Sequence, residues 1–112
     1  MKPRERESAV VNRIMERLKG VECGWFFKVH GGAFQAAGIP DVVGCLCGRF
    51  IALEVKRPGG RPTKLQEWVL DRIRRAGGVA AVVYSLDEAE AIIKAEGGWE
   101  DICPERQECE RL

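Results

Sequence analysis

Asp41, Glu54 and Lys56 are the residues whose types and spacing could do chemistry together. The run FIALEVKRPGG, residues 50–60, reads as a β-strand. Side chains alternate across a sheet, so Ile51, Leu53 and Val55 share one face while Ala52, Glu54 and Lys56 share the other. A hairpin turning near Gly48 brings Asp41 opposite the Glu54–Lys56 end. Placing the turn at Cys47–Gly48 or at Gly48–Arg49 moves Asp41 by about one residue.

Two carboxylates and an amine then converge. Like charges 4 Å apart repel by about 4 kcal/mol at an effective dielectric of 20, so such a pair either shares a proton or binds a cation. Carboxylate oxygens with water and the carbonyl of Val55 would suit Mg²⁺ or Mn²⁺, hard ions that keep several waters and engage phosphate. Lys56 could orient or help deprotonate an attacking water, or neutralise charge developing on a phosphate. Taken alone, however, the Glu-x-Lys tripeptide is better explained by a surface cross-strand ion pair.

The elements that must position these residues follow from periodicity and turn chemistry. A helix is expected over 5–19, with Val11, Ile14 and Leu18 on one face and Gly20 as its stop. WFFKVH, 25–30, is a first strand, and the aromatic side chains Trp25, Phe26 and Phe27 are expected in the core rather than at an interface. A Gly- and Ala-rich loop, 31–40, leads to two strands, DVVGCLCG and RFIALEVK, joined around Gly48. RPGGRP breaks the chain before a helix over 63–76, where Leu65, Trp68, Val69 and Ile73 form a packing stripe ended by Gly77 and Gly78. VAAVVY, 79–84, is apolar throughout, as expected of a strand buried on both faces and parallel to its predecessor. Ser85 and Glu88 predict a capping box for a last helix reaching about Glu96. The order is α-β-β-β-α-β-α, with 1–98 forming one domain and 99–112 an acidic, loosely held tail.

Composition limits the alternatives. The 112 residues suit one domain, and no apolar run approaches a bilayer span or a signal peptide, which predicts a soluble intracellular protein. Five cysteines, odd in number and without a CxxC pair, speak against a disulfide framework and a structural zinc site. Cys45 and Cys47 fit small buried hydrophobes better than ligands. The net charge of +1 conceals an asymmetry. Residues 1–86 hold 15 Lys and Arg against 8 Asp and Glu, a balance of +7, and residues 87–112 hold 3 against 9, a balance of −6. The basic front suits a polyanion such as nucleic acid.

GIPDVVG and EVK, with 12 residues between Asp41 and Glu54, resemble the PD-(D/E)xK nuclease signature, and the element order resembles that restriction-endonuclease-like α/β core, a mixed sheet flanked by helices. More closely, GIPDVVGCLCGRFIALEVKRPGGRPTKLQ resembles the VRR-NUC (virus-type replication and repair nuclease) family, from about Glu7 to the final helix. The resemblance implies metal ligands at Asp41 and Glu54, a catalytic lysine at Lys56, and supporting roles at Glu7 and Gln66. Glu7 lies on the inward face of the first helix, where it could hold a metal-bound water or serve as a first-turn acid favoured by the helix dipole. Gln66, three after Thr63, is also explained by a capping box.

Lys28, Arg57, Arg61 and Lys64 are candidates for phosphate contact, the last two beside a helix start that attracts anions. Arg72, Arg74 and Arg75 fit a solvated helix end better. His30, the only histidine, is more often structural at a strand end than catalytic. The resemblance implies hydrolysis of a DNA phosphodiester with Mg²⁺ or Mn²⁺, in the cytoplasm of a bacterial or phage-infected cell. Stand-alone family members are similar to homodimeric Holliday-junction resolvases. A flap or nicking nuclease of repair and a DNA-binding module with a disabled site are the alternatives.

Overall fold

The computed structural model describes residues 6–29 and 37–98. Seven elements follow in the order expected: α1 (Glu7–Leu18), β1 (Gly24–Lys28), β2 (Val42–Leu46), β3 (Arg49–Val55), α2 (Lys64–Arg75), β4 (Val79–Val83) and α3 (Leu86–Ala95). His30, the loop over 31–36 and the acidic segment 99–112 lie outside the described residues, and only the end of the 31–40 loop is described. Among the described residues no helix is long and apolar enough to cross a membrane.

The strands form one mixed sheet in the order β1-β2-β3-β4. The first three are antiparallel, and β4 runs parallel to β3 after the α2 crossover. Cys47 and Gly48 make the β2–β3 turn with φ of 49° and 84°. Two positive φ values in a two-residue turn match the right-handed twist of the strands they join. Register follows directly: Leu46 pairs with Arg49 and Val42 with Leu53, so one step further Asp41 falls opposite Glu54.

The helices divide between the two faces. Val10, Val11, Ile14 and Leu18 of α1 meet Ala89 and Ile93 of α3 over Val42, Leu46, Ile51, Leu53, Val55 and Val83, a continuous apolar core. Burying each such side chain stabilises the fold by about 1.5–3 kcal/mol. On the opposite face Leu70 of α2 packs on Val43, Ala52 and Ala80, with Val29, Ile73 and Val82 at its margin. Glu54 follows Ala52 on this second face.

Several expectations are corrected here. α2 does not bury the stripe through Leu65 and Trp68; Trp68 is 60% exposed, and the inward line runs through Gln66, Val69, Leu70 and Ile73. Trp25 is 67% exposed and stacks on Phe27 with ring centroids 5.4 Å apart, because α2 covers the β3–β4 side and leaves β1 bare on that face. Only Phe26 of the three aromatics joins the core. Cys45 is exposed on the same bare face, and Cys23 is disulfide-bonded, a pairing in space that spacing along the chain gave no reason to expect. The α3 cap is half of a box. Ser85 Oγ accepts from the Glu88 N–H at 3.2 Å, but the Glu88 carboxylate accepts from the Tyr84 N–H at 2.9 Å rather than from that of Ser85.

Candidate active site

The site gathers at the C-terminal end of β3, between the start of β2 and the start of α2. Asp41 is held from both sides. Its backbone carbonyl accepts from the Val29 N–H at 2.8 Å, and its Oδ2 accepts from the Val55 N–H at 2.8 Å. The segment before it is seated by Gly38, whose φ is +86° and which lies so close to Leu65 and Val69 of α2 that a Cβ would collide with Leu65. Pro40, fully buried, then directs the chain into β2. Within a strand residue, N–H and C=O point to the same side, so the Val55 carbonyl faces the Asp41 edge, while the next amide, Lys56 N–H, bonds the Val83 carbonyl at 3.0 Å.

Glu54 is 2% exposed, and among the described residues it is the buried charged side chain. Its Oε1 accepts from Gln66 Nε2 at 3.1 Å and stands 3.5 Å from the Lys56 ammonium. Its Oε2 is buried with no protein partner. Burial first, and then the charge of Asp41, push the Glu54 carboxyl up from 4.5 to about 7, with Lys56 pulling the other way. A carboxylate buried beside another, with one oxygen uncommitted, is costly unless it takes up a proton or a cation completes it. The donor set therefore fits a hard divalent ion held by Glu54 Oε2, Asp41 and the Val55 carbonyl with water. Among the described residues no three acidic, histidine or cysteine side chains converge in a way that could hold a metal ion, so Asp41 and Glu54 are without a third side chain of that kind.

The other sequence candidates spread around this centre. Glu7 Oε1 accepts from the Arg57 N–H at 3.3 Å, which ties the first turn of α1 to the chain just beyond Lys56; it joins Arg6, Ser8 and Arg57 around an open depression. Glu7 is therefore adjacent to the strand end rather than clustered with the two carboxylates. Gln66 completes the expected capping box with Thr63, and its side-chain amide also reaches Glu54. Arg57, Arg61 and Lys64 are exposed along the loop from β3 to α2, whereas Lys28 Nζ donates to Asn12 Oδ1 at 3.2 Å, against α1. Of the helix-end arginines, Arg74 donates to the Ala80 carbonyl, Arg75 pairs with Asp71, and Arg72 lies over the Trp68 ring. None of the three faces Glu54 in these contacts; Arg74, bonded to β4, departs from the solvated helix end expected of it.

No family model matches the sequence, and no curated protein matches it. Solved structures do. One described as a VRR_NUC domain is similar with a TM-score of 0.65 and 26% identity, over 79% of this chain and 94% of its own. Another, a VRR_NUC domain protein, has a TM-score of 0.67 over 84% of this chain and 89% of its own; at 17% identity it speaks to the fold alone. The element order and mixed sheet agree with these neighbours, as the motif resemblance implied. In fold, the chain is similar to solved VRR_NUC domain structures over most of its length.

Proposed function

We propose that the protein is a metal-dependent, structure-specific DNA endonuclease that hydrolyses phosphodiester bonds, acting as a homodimeric Holliday-junction resolvase. The likeness to VRR_NUC domains supports the nuclease-like part of this reading. The observation that carries the chemistry is Glu54, buried beside Asp41 and Lys56 with Oε2 uncommitted. Asp41, Glu54 and the Val55 carbonyl would hold Mg²⁺ or Mn²⁺. When bound, such an ion supplies Lewis-acid polarisation of a phosphate.

The chain's own groups do the rest. The Lys56 ammonium, its stem largely covered and its head 3.5 Å from Glu54 Oε1, orients the attacking water and offsets negative charge developing on the phosphate. Gln66 keeps Glu54 in place. Glu7 steadies the chain at Arg57, and through it the position of Lys56. Arg57, Arg61 and Lys64 offer exposed charges to the phosphates flanking the scissile bond, with Lys28 further along β1. On this reading DNA shape rather than base sequence is recognised. Symmetric cuts in a four-way junction need two sites related by a two-fold axis. The exposed Trp25, Phe27 and Phe50, on one face of the sheet, support self-association.

The test compares a labelled four-way junction, a flap and a plain duplex in Mg²⁺ or Mn²⁺, with Lys56→Ala and a chelator as controls. Paired symmetric cuts in the junction, lost in both controls, are expected. Cleavage chiefly of the flap would replace the resolvase reading with a repair nuclease, and binding without cleavage would remove the enzymatic one.

A further inference from the structure

Gln66 occupies the third position of α2, with its side-chain amide between two groups that cannot exchange roles. The Thr63 backbone N–H can only donate, and it donates to Gln66 Oε1 at 2.8 Å. An ionised Glu54 can only accept, and its Oε1 takes a hydrogen bond from Gln66 Nε2 at 3.1 Å. Flipping the amide would set N–H against N–H and carbonyl against carboxylate, so the network selects one orientation. In return, Thr63 Oγ1 accepts from the Gln66 N–H at 3.1 Å, which fixes where the helix begins. Glu54 Oε1 is thereby committed to Gln66 and Lys56, and Oε2 is left over.

We propose that Thr63 is a positioning residue of the active site: by capping α2 it fixes the Gln66 amide, which holds Glu54 by one oxygen and leaves the other for the cation. The inference rests on the metal-site reading above. It extends a helix cap, ordinarily a matter of stability, into the carboxylate that binds the ion, as partners behind metal ligands commonly orient them. The molecule also contains its own control. Ser85 caps α3 through the Glu88 N–H at 3.2 Å, but the Glu88 carboxylate has no N–H to give and its bonds stay at the helix start, with Tyr84 and Ser85.

The experiment titrates Mn²⁺ alone into the full chain by calorimetry and records melting temperatures for wild type, Thr63→Val, Thr63→Ser and Ser85→Ala. Thr63→Val and Ser85→Ala are expected to lower the melting temperature to a similar extent. Thr63→Val alone is expected to weaken Mn²⁺ binding, by roughly tenfold, and Thr63→Ser to restore it. If Thr63→Val melts below the titration temperature, Thr63→Gly, a milder change at a cap, carries the same comparison. Mn²⁺ affinity unchanged in Thr63→Val, or weakened equally by Ser85→Ala, would overturn the proposal and leave the metal-site reading standing. A wild type that takes up no Mn²⁺ would overturn both.

Discussion

The starts of α2 and α3 are built from nearly the same parts. Thr63 accepts from the Gln66 N–H at 3.1 Å, and Ser85 from the Glu88 N–H at 3.2 Å. What differs is the residue three places on. Glu88 carries only acceptors, and it spends them on the local backbone and on Ser85. Gln66 satisfies the same cap with its carbonyl and keeps an NH₂ group free to reach Glu54 at 3.1 Å. A helix start becomes part of the candidate site when its capping side chain has a second hydrogen-bonding function and a buried carboxylate lies within reach.

That difference orders the expected effects. Lys56→Ala, at the strand end that α2 faces, should cut DNA cleavage by about two to three orders of magnitude, the scale for removing a preorganised charge from a transition state. Initial rates on labelled DNA measure it. Gln66→Leu and Glu88→Leu each remove a side chain from a helix start, yet only Gln66→Leu should weaken Mn²⁺ binding, by about 10–100-fold in equilibrium dialysis. Equal losses in the two would erase the distinction drawn between the helices.

The pH dependence sharpens the contrast further. Glu54 is raised from 4.5 to about 7, chiefly by burial. Between those values the folded state holds a proton that the unfolded chain has released, so in a chelator this group makes stability fall as pH rises through that window. Glu54→Gln should flatten the fall, and melting temperatures from pH 4.5 to 8 decide it. At pH 8 Mn²⁺ should restore stability to the wild type and not to Glu54→Gln, since a ligand that binds only the folded state stabilises it. The smallest effect belongs to α3: Ser85→Ala should cost about 1 kcal/mol in urea unfolding with cleavage rates unchanged.

The two helix starts also show what the sequence could and could not disclose. The hairpin was readable because a period of two and a turn at Gly48 leave little freedom, so Asp41 reaches Glu54 by counting. The α2 crossover and a parallel β4 followed from an apolar strand after an amphipathic helix. The burial of α2 did not follow, because its inward line begins with Gln66, and a polar residue at a core-facing position hides the true stripe while Leu65 and Trp68 suggest a false one. The exposure of Trp25 has a different cause. One crossover helix is about 10 Å across and covers only part of four strands spaced at about 4.8 Å. Which strands it leaves bare depends on packing, and no local pattern in WFFK reports it. The link from Thr63 through Gln66 to Glu54 was invisible as geometry, although an amide where a carboxylate would serve the cap equally well was a usable hint.

The central claim is that Asp41 and Glu54 form a cation site at the end of β3. Electron paramagnetic resonance of Mn²⁺ at pH 8 tests it most directly, because the signal of the free ion disappears on binding. The account predicts binding by the wild type that is lost in both Glu54→Gln and Asp41→Asn, each still folded. Equal binding by all three proteins, or none by the wild type, would contradict it.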